Sequence, residues 1–175
     1  MALMLMLGAF LAAHSQSLVY AGPVEMTLRS QGSESETRFE SGQLSCRYTT
    51  APHKLLMLVK TDALAAQPST DQQAVLDQVL LSASNRLLSL DLDLGANVSS
   101  QIELEAAPLQ IAFNGKTVEV PAHIELNRDA QTLTFSLELS FSLQQLGLVV
   151  PPSLARIFSD TVRIEVSNGT LTFRG

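Results

Sequence analysis

From Leu133 to Leu143 the chain alternates apolar and polar residues without a break. Leu133, Phe135, Leu137, Leu139, Phe141 and Leu143 fall on one side, and Thr134, Ser136, Glu138, Ser140 and Ser142 on the other. Successive side chains of an extended backbone point to opposite faces, so this run predicts a strand with one buried and one wet face. At about 3.3 Å per residue it spans roughly 36 Å, twice the usual strand length. A strand of that length needs partners of similar length, and the rest of the chain must supply them.

Period two recurs on both sides of this run. Val24–Arg29, Phe39–Tyr48 and Leu55–Val59 read as strands, with polar residues 30–38 as a turn or loop and a bulge or bend at Gly42. Leu88, Leu90, Leu92 and Leu94 alternate with Asp91 and Asp93, and Ile102 and Leu104 continue the pattern against Glu103 and Glu105. The phase then slips, because Leu109, Ile111 and Phe113 are odd-numbered. An extra residue at Ala106-Ala107-Pro108 restores one common face. Asn114-Gly115 is the preferred pair for a two-residue type I′ hairpin. That turn sets Phe113 opposite Lys116, Ile111 opposite Val118 and Leu109 opposite Val120, so the apolar faces coincide. Val118, Val120, Ala122, Ile124 and Leu126 run on in phase to a turn at 127–131, which would pair Leu126 with Leu133. Val162, Ile164 and Val166 form a further strand. Asn168-Gly169 reads as a second two-residue hairpin, placing Leu171 opposite Val166 and Phe173 opposite Ile164.

One helix interrupts the strands, over residues 69–83. Ser69 and Gln72 fit a capping box, and Val75, Leu76, Val79 and Leu80 form a narrow apolar stripe. The fold class is therefore mainly β: one antiparallel barrel of about eight strands with a short helix.

Ala2–Ala13 is apolar and precedes the small-residue pattern Val19-Tyr20-Ala21, so residues 1–21 read as a secretory signal peptide and 22–175 as the barrel domain. Localisation after its removal is periplasmic or secreted. The net charge of −6 falls on residues beyond 21 and argues against nucleic acid and anionic membrane surfaces. The single Cys46, beside Leu44 and Tyr48, reads as a small core residue. His123 points opposite Ala122 and Ile124, hence to solvent. No HxH, HExxH or CxxC spacing and no Gly-x-Ser-x-Gly setting occurs, so neither a metal site nor an enzyme is expected. The Asp91/Asp93 and Glu103/Glu105 pairs lie opposite the apolar face and read as solvation of the exterior.

The apolar face admits two readings. Side chains can fill an eight-stranded barrel, or leave a cavity for one ligand. An outer-membrane barrel would need aromatic girdles, and aromatic residues are only 5% of the chain, with no Trp.

The segments Pro108–Val120, Phe141–Leu148 and Asp160–Val166, with the helix placed before Leu87–Leu92, resemble the YceI-like, polyisoprenoid-binding family of secreted bacterial proteins. The resemblance covers roughly residues 38–170. The family's first strand is poorly matched by residues 22–37, and Asn85-Arg86 stands where the family commonly has a tyrosine-proline pair. The resemblance implies a lipocalin-like barrel holding a long apolar ligand, an isoprenoid lipid or quinone tail, as a carrier or sequestering protein. No other cofactor is implied. On this basis the lumen is expected to be lined by Leu90, Leu92, Leu104, Ile111, Phe113, Val118, Val120, Ile124, Phe135, Leu137, Leu139, Phe141 and Ile164. Its mouth is expected at Val75, Leu76, Val79 and Leu80, with Leu148 and Phe158 on a second rim. The alternative is a solid-core structural or partner-binding β-domain. Oligomeric state is left open.

Overall fold

The computed structural model describes residues 18–66, 70–80, 86–95 and 98–174. The strands are β1 (Val19–Gln31), β2 (Glu36–Thr50), β3 (His53–Lys60), β4 (Ala65–Ala66), β5 (Leu87–Asp93), β6 (Gln101–Phe113), β7 (Lys116–Arg128), β8 (Thr132–Ser142) and β9 (Thr161–Phe173). They form one antiparallel sheet in the order β1-β9-β8-β7-β6-β5-β3-β2, with β4 on the far side of β2. β1 and β2 also pair with each other, from Val19↔Thr49 to Gln31↔Glu36, which closes the sheet into an eight-stranded barrel with one extra strand. Apart from β4, strands adjacent in the chain are adjacent in the barrel, so this is an up-and-down arrangement.

The alternation read from residues 133–143 is β8, with Leu133, Phe135, Leu137, Leu139 and Phe141 all buried. The hairpin at Asn114-Gly115 has φ of 51° and 73°, as a type I′ turn requires, and the predicted register holds from Phe113↔Lys116 to Leu109↔Val120. The phase slip in β6 is a bulge between Leu104 and Ala107, where two residues oppose His123. The bulge at Gly42 is present as well, since Val24↔Leu44 is followed by Met26↔Ser41.

Four expectations change. Residues 30–38 are mostly strand, and the turn is only residues 32–35. The polarity that hid them has partners inside the fold: Ser30 Oγ donates to Thr161 O at 2.9 Å, and Thr37 Oγ1 donates to Ile157 O at 2.6 Å. The β7–β8 turn is tighter than expected, pairing Arg128 with Leu133 and Leu126 with Phe135. Asp129 makes this possible, because its carboxylate accepts from Gln131 N at 2.7 Å and Thr132 N at 2.6 Å. The predicted helix is shorter, an α-helix α1 (Thr70–Val75) running into a π-helical turn at Leu76–Leu80; residues 69 and 81–83 of the prediction lie outside the described residues. Asn168-Gly169 is not a hairpin. β9 continues through it, with the register slipping between Phe135↔Gly169 and Leu137↔Val166. Glycine is needed there for space: a Cβ on Gly169 would lie 2.4 Å from Cε1 of Phe135.

The two ends of the barrel differ. At one end, the 32–35 turn, the helical segment, the Asn114-Gly115 hairpin and the 143–160 connection meet. We call it the plug end. The other end carries Leu18, where the described residues begin, the 51–52 turn, residues 94–95 and 98–100, and the 129–131 turn. Its inward aromatics are Tyr20 and Tyr48, both buried, so it is the tyrosine end.

Two contrasts test this architecture. Leu137→Arg places a charge in the apolar interior and is expected to cost more than about 3 kcal/mol. Ser140→Glu faces outward opposite Arg163 and should stay within about 0.5 kcal/mol; equal melting of the two variants would overturn the face assignment. Gly169→Ala should cost about 1–3 kcal/mol by overpacking. Adding Phe135→Leu should recover part of that loss, whereas additive losses in a double-mutant cycle would show that the ring contact is not the cause.

Candidate functional site

The inward face is apolar along nearly its whole length. Leu90, Leu92, Ile111, Ile124 and Ile164 have no measurable exposure, and Phe113, Val120, Phe135, Leu137, Leu139 and Phe141 are buried. Val118 is half-buried against the same cluster. Of the residues expected to line a lumen, Leu104 departs most. It pairs with Ile124 and so shares its face, yet it is 38% exposed. The cause is the short β5, which pairs with β6 only from Ser89↔Ala112 to Leu92↔Leu109. The first half of β6 therefore has no strand partner on that side among the described residues. A recess of about 310 Å³ lies there, bounded by Leu94, Ile102 and Leu104 among others.

The expected lumen lining left out β1, β2 and β3, although their segments read as strands. Tyr20, Met26, Leu28, Phe39, Tyr48, Leu55 and Met57 are all buried and come from β1, β2 and β3. Alternation on β1 extends back to Val19, through Tyr20 and Ala21, residues read as the end of a leader. The even-numbered pattern Leu44, Cys46, Tyr48 was the available signal for β2. Burial also pushes the Cys46 thiol up to about 12.

The residues expected at a mouth are buried together. Val75 and Val79 have no exposure, Leu76 has 6%, Leu80 2%, Leu148 4% and Phe158 none. Both groups belong to the plug end. Arg156 ties the two segments by an ion pair to Asp71 at 3.3 Å, and Phe158 packs edge-on against Phe39 of β2 with ring centres 6.3 Å apart. The 32–35 turn fastens the plug from outside: Glu34 N donates to Arg156 O at 2.7 Å, and Ser33 N to Ala155 O at 3.2 Å. Leu143, Leu146 and Leu154 complete this layer.

The tyrosine end is polar. Tyr20 Oη donates to Asp129 O at 2.8 Å, and Tyr48 Oη shares a hydrogen bond of 2.8 Å with His53 Nδ1. The rings of Tyr20 and Tyr48 lie 6.2 Å apart. Burial raises the Tyr48 phenol, partly offset by the Arg128 guanidinium beside it. Burial also holds His53 below the usual histidine range, and Arg128 adds to the effect, so this imidazole is neutral at pH 7.

The outer wall is a different environment. His123 points outward as predicted, 3.3 Å from Glu105 and 3.4 Å from Glu125, and the hydrogen bond to Glu125 raises its pKa, with the nearby carboxylates adding to it. A groove of about 610 Å³ over β6 to β9 is bordered by Glu103, Glu125, Asn127 and Ser136, polar groups unsuited to an apolar chain. Among the described residues, no three His, Cys, Asp or Glu side chains converge as metal ligands. No helix among them is long and apolar enough to cross a membrane.

The Cys46 environment gives a direct check. In the folded protein the thiol should resist an aromatic disulfide reagent at pH 8 and react fully once unfolded in denaturant. Between pH 9 and about 12 the folded thiol keeps a proton that the unfolded one releases, so Cys46 should make stability fall with rising pH in that window. Cys46→Ala should flatten that part of the curve. Rapid labelling of the native protein would show that the position is open to solvent.

No protein-family model and no curated protein matches the sequence. Among solved structures, the chain is similar to a polyisoprenoid binding domain from Saccharophagus degradans implicated in plant cell wall breakdown. The TM-score is 0.67 at 10% identity, over 90% of this chain and 98% of that one. It is likewise similar to BcnA of Burkholderia cenocepacia, with a TM-score of 0.60 at 11% identity, over 91% of this chain and 96% of that one. The resemblance read from the turns and apolar phases thus holds at the level of the fold, which this chain shares with both proteins along nearly their full length.

Proposed function

We propose that the chain is a divergent YceI-like barrel that binds one long apolar molecule, an isoprenoid lipid or isoprenoid-quinone tail, as a carrier or sequestering protein. The observation that carries this reading is the continuous apolar inward face, floored at the plug end, in a fold shared with a domain described as polyisoprenoid-binding. Each buried methylene-sized group would contribute about 0.8 kcal/mol. Affinity would therefore grow with ligand length and need few polar contacts. On this reading the protein is not an enzyme, and the apolar molecule is its only small-molecule partner.

The proposal extends to place. The apolar stretch before β1 would act as a secretory leader, and the barrel would work in the periplasm or outside the cell. Its cleavage would need to leave Tyr20 in the chain, because that side chain is buried and bonded to Asp129 O.

The plug end alters where a ligand would enter. Leu76 and Leu80 are too buried to form a loose lid, so entry would lie at the tyrosine end, beside the β5–β6 gap. A side-chain-filled core is the competing reading, favoured by the near-zero exposure of so many inward residues.

Two measurements separate the readings. Solvent extraction of the purified protein, followed by mass spectrometry, should recover an apolar compound at up to one per chain. The delipidated protein should also bind long neutral prenyl alcohols, with affinity rising as the chain lengthens. Neither a recovered compound nor any binding would leave the solid core as the correct account.

A further inference from the structure

Arg128 is a cation on the inward face at the tyrosine end of the barrel. It follows Ile124 and Leu126 in the same phase and stands directly opposite buried Leu133. In the closed strand order, β7 lies four strands from β2 in either direction, so the two face each other across the lumen. The Arg128 guanidinium nevertheless lies close enough to influence both Tyr48 on β2 and His53 on β3. It therefore reaches over the lumen at the tyrosine end.

Among the described residues the guanidinium has no carboxylate partner; the side chain it hydrogen-bonds is the neutral Tyr48 phenol. Nη1 is buried, and among the described residues no group accepts a hydrogen bond from it. The adjacent carboxylate, Asp129, is already engaged by Gln131 N, Thr132 N and Thr132 Oγ1. Arg128 appears in no ion pair among the described residues, unlike Arg29, Arg38, Arg156 and Arg163. Withdrawing a cationic nitrogen from water without an acceptor is costly, so the position calls for an explanation. A planar guanidinium fork matches the two oxygens of a carboxylate or phosphate. The Tyr48–His53 pair beside it supplies further polar atoms, and the recess bordered by half-buried Leu94 and Ile102 lies at the same end of the barrel.

We propose that Arg128, with Tyr48 and His53, binds the anionic headgroup of an amphiphile, a carboxylate or a phosphate, whose apolar tail lies in the barrel. The inference rests on the lumen reading above and adds the polarity and direction of the ligand: tail toward Phe158, head at Arg128.

The test uses three probes with the same long alkyl chain: a fatty acid, an alkyl phosphate and the neutral alcohol. Binding to the delipidated protein is measured by calorimetry. Intrinsic fluorescence adds a local readout, because the chain has no Trp and only two Tyr, and both are at this end. The parent should bind the acid or the phosphate roughly tenfold or more tighter than the alcohol, the scale of a charge-assisted hydrogen bond. Whichever of the two is tighter identifies carboxylate or phosphate as the headgroup. Arg128→Gln should erase that preference while leaving alcohol affinity within about twofold, since the tail contacts are unchanged. Tyr48→Phe, a nearly isosteric change, should reduce the preference severalfold and guards against misfolding of the Gln variant. A parent that binds acid, phosphate and alcohol equally would overturn the headgroup site while the lumen reading stands. Equal weakening of all three probes by Arg128→Gln would assign the side chain a packing role only. Binding of none would overturn both readings.

Discussion

Closure of the sheet is the constraint on which everything else depends. An edge strand presents unpaired N–H and C=O groups, and an eight-stranded sheet has two such edges to satisfy. Here the first two strands pair with each other along almost their whole length, so the cylinder is sealed by the segment that begins the described chain. Once sealed, every strand has an inside and an outside, and side-chain parity becomes a statement about solvent. That is why Leu137 and Glu138, neighbours in sequence, occupy opposite environments. It is also why bulges matter. Each extra residue at Gly42-Gln43, in β6 before Ala107, or in β9 before Gly169 restores the inward phase that the sequence would otherwise lose.

A cylinder has two open ends, and the chain deals with them differently. At the plug end two connections, the helical segment and residues 143–160, carry apolar side chains that fold inward. The price is backbone exposed to an apolar layer, and polar residues of β1 and β2 answer it. Ser30 and Thr37 are buried hydroxyls bonded to the backbone of the 157–161 segment. Gly32 belongs to the same device, since a Cβ there would stand 2.4 Å from Arg156 O and Ile157 C. Only glycine lets the β1–β2 turn lie flat on the plug. Among the described residues the tyrosine end has short turns, and polar side chains on the strands themselves span it.

Legibility in the sequence followed burial symmetry. Strands with one wet and one dry face, β5 to β8, were readable because period two survives along their length. The Asn-Gly pair fixed one register, since only a turn with both central φ values positive suits that dipeptide. The same dipeptide misled at 168–169. Asn-Gly also suits a bulge, and the room Gly169 leaves for the Phe135 ring is a tertiary fact with no local signature. β1 and β2 were half hidden because their inward positions include the polar residues Ser30, Thr37 and Ser41, and the partners of Ser30 and Thr37 lie more than a hundred residues away. The apolar stripe of the helix was visible, but its destination was not. Amphipathicity tells that a face is buried and is silent on whether it plugs or lids.

Arg128 shows the same limit in a sharper form. In sequence it belongs to a polar run, Asn127-Arg-Asp, that reads as a turn, and a charged residue at a strand end is ordinarily solvated. Asp129 is what changes its meaning. By satisfying the turn backbone itself, that carboxylate shortens the turn and leaves Arg128 on the strand, one step further inward in phase than Asn127. Its partners, Tyr48 and His53, come from the other side of the barrel, so only closure brings the three together. The interior thus runs from an aromatic and aliphatic floor at Phe158 to a cationic, phenolic rim. On the proposed reading, a ligand matched to both ends would be an amphiphile with its polar group beside Arg128.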